Sequence, residues 1–239
     1  MLHQSFRLLV FLTVFLAVCH AKTVADSDER FPFLADIRTF QNDHLCSGFI
    51  VTNRWIVTVA HTLVGRFPAS LWVFVGSQES STNVFSVLIA PHPRFSAVPD
   101  YPMFFNDVAL IRSSLTIFFS DNVQPISLAF QDTVGDLEAT TVGWRASGVQ
   151  ETFTSQTWTN FWCMLLLPPD LPLPGSSFCS RQPENAERMS VEPGDVLVVD
   201  GFAAGLGSWQ ILVLNPYPGF PDVYTRLTMF RVWILSVIS

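Results

Sequence analysis

Few residues in this chain could do chemistry, and they are scattered along it. The histidines beyond the N-terminal segment are His44, His61 and His92, and the acids of interest are Asp107, Asp195 and Asp222. Acyl transfer through a side-chain nucleophile needs an imidazole that takes a proton from a hydroxyl. It also needs an acid that holds the imidazole's tautomer, and backbone N–H groups facing the oxyanion. A single histidine in a strand-rich chain is ordinarily structural or solvated, so none of the three qualifies by itself. They lack the close spacing with Cys, Asp or Glu that holds zinc. No glycine-rich loop follows a strand and opens a helix, as phosphate cradling requires. No metal or cofactor is therefore expected. Residues 192–209, "EPGDVLVVDGFAAGLGSW", instead run a Gly-Asp pair straight into an apolar strand, a short turn and a second strand.

The totals narrow the class. A chain of 239 residues can bury a substantial core as one large all-β domain or two smaller ones. Only 14% of it is charged, and Lys22 is the sole lysine. A net charge of −7 leaves no basic stripe to release phosphate counterions, so nucleic acid is not an expected partner. His3 and Arg7 precede the apolar run "LLVFLTVFLAVC", which is short for a membrane span, and Cys19-His20-Ala21 offers small residues at a cleavage site. Residues 1–21 read as a signal peptide and residues 22–239 as a secreted mature chain with no membrane partner. Three cysteines then remain, Cys46, Cys163 and Cys179. An oxidising compartment favours pairing, and Cys163 with Cys179 is the expected bridge, stapling the proline-rich "MLLLPPDLPLPGSSF". Cys46 is left over, either as a buried inert thiol or as one open to an intermolecular disulfide. No Asn-x-Ser/Thr acceptor occurs.

The elements that must position these residues are mostly strands. "FPFLADIRTF" and "SGFIVTNRWIVTVAH" alternate apolar residues around the turn Gln41-Asn42-Asp43, and "SLWVFVGS", "NVFSVLIAPHP" and "DVALIRSS" follow at short intervals. The later half repeats the style with "LEATTVGWRAS", "VLVVDGF", "AGLGSWQILVL" and "DVYTRL". Val, Phe, Ile and Thr at such spacing argue a sandwich or a barrel. Residues 114–131 are the candidate connection between two halves. From about Thr228, Met229, Val232, Trp233, Ser236 and Val237 fall near helical spacing and predict a C-terminal helix.

Five segments and the terminal helix, in order, resemble the trypsin/chymotrypsin-like serine proteases, and the resemblance spans roughly residues 30–239. "CSGFIVTNRWIVTVAH" resembles the strand pair leading to the catalytic histidine, and "NDVALIR" the segment around the catalytic aspartate. "VGWR" is similar to the family's Gly-Trp strand, "GSW" to its substrate-pairing strand, and "FPDVYTRL" with the terminal helix to its close. The resemblance implies a double β-barrel, each barrel six-stranded, divided at about residues 30–120 and 121–227, with a helix over about 228–239. It makes His61 the position of the general base and Asp107 that of the orienting acid, with Ser208, Trp209 and Asp222 as binding residues. Asp222 stands where the family usually has a pocket-lining glycine, so a carboxylate there would narrow the pocket or favour a basic side chain.

The same resemblance implies departures. If Gly194-Asp195 is the family's Gly-Asp, the following Ser-Gly-Gly is deleted; without a gap, Pro193 stands in the serine's place and Glu192 in the aspartate's. Either way the serine position is lost near Pro193 and Asp195, leaving His61 and Asp107 as vestigial triad positions. The family's basic residue followed by Ile-Val-Gly-Gly is absent from "KTVADSDERFPF". Thr62 replaces a half-cystine, which accounts for the unpaired Cys46. The expectation from sequence is a protein that is not an enzyme: a secreted, catalytically inactive serine protease homologue. It would act by binding secreted proteins or proteases as cofactor, decoy or regulator, through the old cleft or through the loop at Pro168–Ser177. The alternatives are an unconventional hydrolase using Ser190 and a structural or carrier protein of a secreted fluid.

Overall fold

The computed structural model describes residues 31–77, 80–99, 101, 103–169, 171, 173–183, 189–209 and 221–239. The signal-peptide reading and the stretch between Trp209 and Pro221 lie outside these residues. Strands follow one another as the alternating pattern predicts: β1 (Leu34–Thr39), β2 (His44–Thr52), β3 (Trp55–Thr58), β4 (Leu71–Ser77) and β5 (Ser80–Pro91). Two short strands, β6 (Ser96–Ala97) and β7 (Phe104–Phe105), precede β8 (Ala109–Ser113). After the connection come β9 (Glu138–Trp144), β10 (Gln150–Trp158), helix α1 (Asn160–Leu166), β11 (Ser177–Arg181), β12 (Val196–Val199), β13 (Phe202–Trp209), β14 (Asp222–Arg226) and helix α2 (Leu227–Ile238).

These strands close into two barrels, ordered β1-β2-β3-β8-β5-β4 and β10-β11-β14-β13-β12-β9. Closure pairs each barrel's strands on both sides over most of their length, which reduces the edge-strand hazard in a chain with so little charge; β6 and β7 form a separate two-stranded sheet. The inward residues are the β-branched and large apolar ones. Leu34, Ile37, Phe49, Ile50, Ile56, Val73, Leu110 and Ile111 are fully buried in the first barrel, and Phe178, Leu197, Ala204 and Tyr224 in the second. The expected chymotrypsin-like all-β class is therefore what the chain adopts.

Two local expectations are refined. The C-terminal helix forms, but the buried stripe is Leu227, Phe230 and Ile234, while Met229 and Val232 are exposed. That stripe joins a core cluster drawn from both barrels: α2 packs beside β13 of the second, and Phe230 and Trp233 meet His92, just after β5 of the first. The sequence stretch after "TSQTWT" forms about two turns of helix, α1, ahead of the prolines. The bridge Cys163–Cys179 forms with a Cα–Cα distance of 5.8 Å, tying α1 to β11. Leu167 and Leu173, on either side of the proline-rich segment, pack beneath it with Trp209 and Val223.

Candidate active site

Asp107 precedes β8, directly after the left-handed residue Asn106 (φ 51°), and turns its side chain inward. One carboxylate oxygen accepts the backbone N–H groups of Ala60 (2.8 Å) and His61 (2.9 Å). The other accepts from His61 Nδ1 at 2.7 Å and from Ser208 Oγ at 2.6 Å. His61 and Asp107 are far apart in sequence; β3 and β8 bring them together because those strands pair, with Thr58 opposite Ala109. Phe104 stacks flat on the imidazole, ring centroids 4.2 Å apart and planes 2° from parallel. With Nδ1 committed to donating to a carboxylate, the neutral ring carries its lone pair on Nε2. That tautomer is the one a general base requires.

The cleft joins the two barrels. Thr225 Oγ1, in the second barrel, donates to the Asp107 carbonyl at 2.9 Å, and Ser208 reaches the same residue from β13. Trp209, the next residue, is buried with Met103, Leu167, Leu173 and Val223. Ser208 thus reaches the His61 site through Asp107, and Trp209 lies in the cluster against which Phe104, stacked on the imidazole, packs.

The loop before β12 is anchored from both sides. Ser47 N–H donates to the Pro193 carbonyl at 2.9 Å, and Gly194 N–H to the Gly207 carbonyl at 2.8 Å. Gly194 adopts φ +79°, and a Cβ there would collide with the Ser47 carbonyl. Asp195 is wholly buried, and its carboxylate accepts from Arg145 Nη1 (3.0 Å) and from Glu192 N–H (2.9 Å). Burial pushes the Asp195 carboxyl up to about 6, against the attraction of the Arg145 guanidinium and the Glu192 N–H. Arg145 Nε also binds Glu151 at 2.8 Å, and its Nη2 reaches the Ser190 carbonyl at 3.3 Å. His44 extends the network, with Nδ1 2.7 Å from Asp36 and Nε2 3.6 Å from Glu192.

Sequence reasoning missed this ionic cluster. Its only signal was Arg145 after the Gly-Trp strand, in a chain with few basic residues. Asp222 is also buried: its carboxylate accepts from Gln182 Nε2 at 3.0 Å, an amide that additionally ties Met189 by 2.7 and 2.8 Å bonds. Cys46 is fully buried beside Thr58 and Thr62, and burial pushes its thiol up to about 11. Among the described residues no group of three or more His, Cys, Asp and Glu could hold a metal, and no helix is long and apolar enough to cross a membrane.

Two closed six-stranded barrels with a hydrogen-bonded His–Asp pair at their junction have the architecture of the chymotrypsin-like class. The chain matches the trypsin family model over residues 22–161, more than half its length, and belongs to that family. It is 28% identical over 207 residues to a trypsin of Phaedon cochleariae, covering 80% of this chain and 78% of that protein. It is also 30% identical over 129 residues to venom serine protease 34 of Apis mellifera, covering 48% of this chain and 31% of that protein. The structure of mouse neuropsin, a serine protease, superposes with a TM-score of 0.75 at 20% identity, covering 87% of this chain and 95% of that one.

These findings correct the expectation of a protein that is not an enzyme. Trypsin-family membership and protease relatives point to an enzyme. The contrary reading rested on the loop at residues 190–197, which offers no serine in the expected place, and on the absent Ile-Val-Gly-Gly start; the structure adds that His61 and Asp107 keep their hydrogen-bonded pairing.

Proposed function

We propose that this is a secreted trypsin-family protein that works on other secreted proteins, holding an extended segment along β13 with His61 as the general base of the cleft. The observation that carries the reading is the Asp107 carboxylate. Its bonds to Ala60, His61 and Ser208 fix the imidazole's tautomer and plane and leave the Nε2 lone pair to accept a proton. Secretion is supported by the N-terminal apolar run, the Cys163–Cys179 bridge and the kinship with a venom protease. An extended peptide would pair with the backbone at Ser208–Trp209, the ladder giving affinity and the flanking apolar side chains giving choice of sequence.

A second reading concerns the hydroxyl that His61 serves. Ser190 belongs to the anchored loop, and Arg145 pins its carbonyl. In this reading Ser190 Oγ adds to the scissile carbonyl carbon as its proton passes to His61 Nε2, and the leaving amine later takes that proton. A serine-reactive fluorophosphonate probe followed by peptide mapping tests it: label on Ser190, lost in Ser190→Ala and His61→Ala, supports it, and label elsewhere overturns it. For the main reading, a partner captured from the native fluid should bind about 10-fold more weakly to Trp209→Ala. Unchanged binding by Trp209→Ala, with loss in a variant of the Pro168–Ser177 loop, would move the interface to that loop.

A further inference from the structure

The second barrel has a hollow on its outer face, none of whose lining residues belongs to the His61 site. Its volume is about 710 Å³, within the range of small-ligand sites. Strand register explains its floor. Arg181 on β11 stands opposite Gln156 on β10, and Gln156 stands opposite Glu138 on β9, a row of side chains about 10 Å long across three strands. The next row, two residues along, pairs Thr154 with Thr140 and Thr140 with Val198. Trp158 closes one end, with the Arg181 guanidinium 5.2 Å from its ring centroid, and Asp200, in the turn after β12, stands at the rim. Ser155 also lines the hollow; it is only 4% exposed, and its Oγ has no hydrogen-bond partner.

We propose that this hollow is a binding site for a neutral oligosaccharide. The lining mixes carboxylates, amides, hydroxyls and one guanidinium around an indole. Sugar hydroxyls, which donate and accept together, satisfy all of these at once. The apolar face of a pyranose ring suits the indole. Other ligand classes fit less well. Glu138 and Asp200 repel phosphates and sulfates. A strand-like peptide finds no edge, because β9 is already paired with both β10 and β12. In a secreted protein such a site would dock the chain on glycans of a partner or matrix, apart from whatever the cleft holds.

The test is titration of the full secreted chain with maltotriose and with N-acetylchitotriose, read by calorimetry and by ligand-observed NMR, with spermidine as a cationic control. At least one trisaccharide should bind saturably. Gln156→Ala combined with Asp200→Asn, both exposed positions, should weaken that binding on the order of 10-fold. Trp158→Ala, checked for an intact thermal transition, should do the same. His61→Ala should bind as the wild type does, which separates this site from the cleft. Absence of binding by both sugars overturns the proposal. So does binding indifferent to the double variant, or binding of spermidine alone, which would mark the hollow as an acidic amine site.

Discussion

Asp107 accepts two backbone N–H groups, one imidazole and one hydroxyl, so almost all of its acceptor capacity is used in a fully buried position. Asp107→Asn keeps the size but replaces one acceptor oxygen with a donor, and the imidazole can then turn to the wrong tautomer. Peptide hydrolysis by the purified protein should fall by about 10³–10⁴-fold in kcat for this variant, with KM little changed, in a steady-state assay. Cys46 behaves in the opposite sense, as a group removed from chemistry. A thiol pushed up to about 11 and shielded from solvent supplies almost no thiolate at neutral pH. Iodoacetamide should leave Cys46 unmodified in the native protein and alkylate it fully in denaturant, as mass spectrometry would record. Rapid alkylation of the native protein would refute its burial.

At the scale of elements, the loop preceding β12 is held by a buried charge pair rather than by apolar packing. Removing the Arg145 side chain would strand the Asp195 carboxylate, and Arg145→Met should destabilise by about 3–5 kcal/mol in chemical denaturation. Asp195 also gives the loop a pH signature. Its carboxyl is raised in the fold from 3.8 to about 6, so the folded state holds a proton that the unfolded chain releases. The stability due to this group is full below about 4 and is lost as pH rises through 6. Urea midpoints measured between pH 4 and 7 should show this falling component in the wild type, and Asp195→Asn should lack it. Gly194 is equally constrained: Gly194→Ala meets both a positive φ and the Ser47 carbonyl, and should cost on the order of 1–3 kcal/mol.

Over the whole molecule, the site exists only where the two barrels meet. Their junction is joined by Ser47 with Trp144 and Pro193, by Asp107 with Ser208 and Thr225, and by α2, which packs beside β13 and meets His92. Phe230 is the central residue of that contact, 3% exposed and edge-on to His92. Phe230→Ala should lower stability by about 3–5 kcal/mol. Because the contact spans the junction, the variant should also loosen the cleft, seen as faster amide exchange at His61 and Ser208 than at the centre of either barrel.

The strands were legible in the sequence because a barrel wall buries every second residue, and the alternation of Val, Ile, Phe and Leu with polar residues records that directly. His61, Asp107, Ser208 and Trp209 were legible because each sits in a short segment with a recognisable context, and the structure joins the first three by hydrogen bonds, with Trp209 in the adjoining cluster. The Cys163–Cys179 bridge was legible because those two cysteines flank one proline-rich loop that a bridge would staple. What the sequence could not give was set by distant pairings. The cluster of Arg145, Asp195, Glu192, His44 and Asp36 draws on β1, β2, the residue after β9 and the loop before β12, and nothing local marks those residues as neighbours. The buried stripe of α2 depended on which body the helix would meet, since its apolar residues run nearly all the way round. The Asp222 carboxylate could have faced a pocket or solvent, and only the placement of Gln182 beside it decided that it is buried and hydrogen-bonded. Local pattern fixes what a residue can contribute to an element, whereas charge pairing and packing depend on contacts that exist only after the two barrels close and dock.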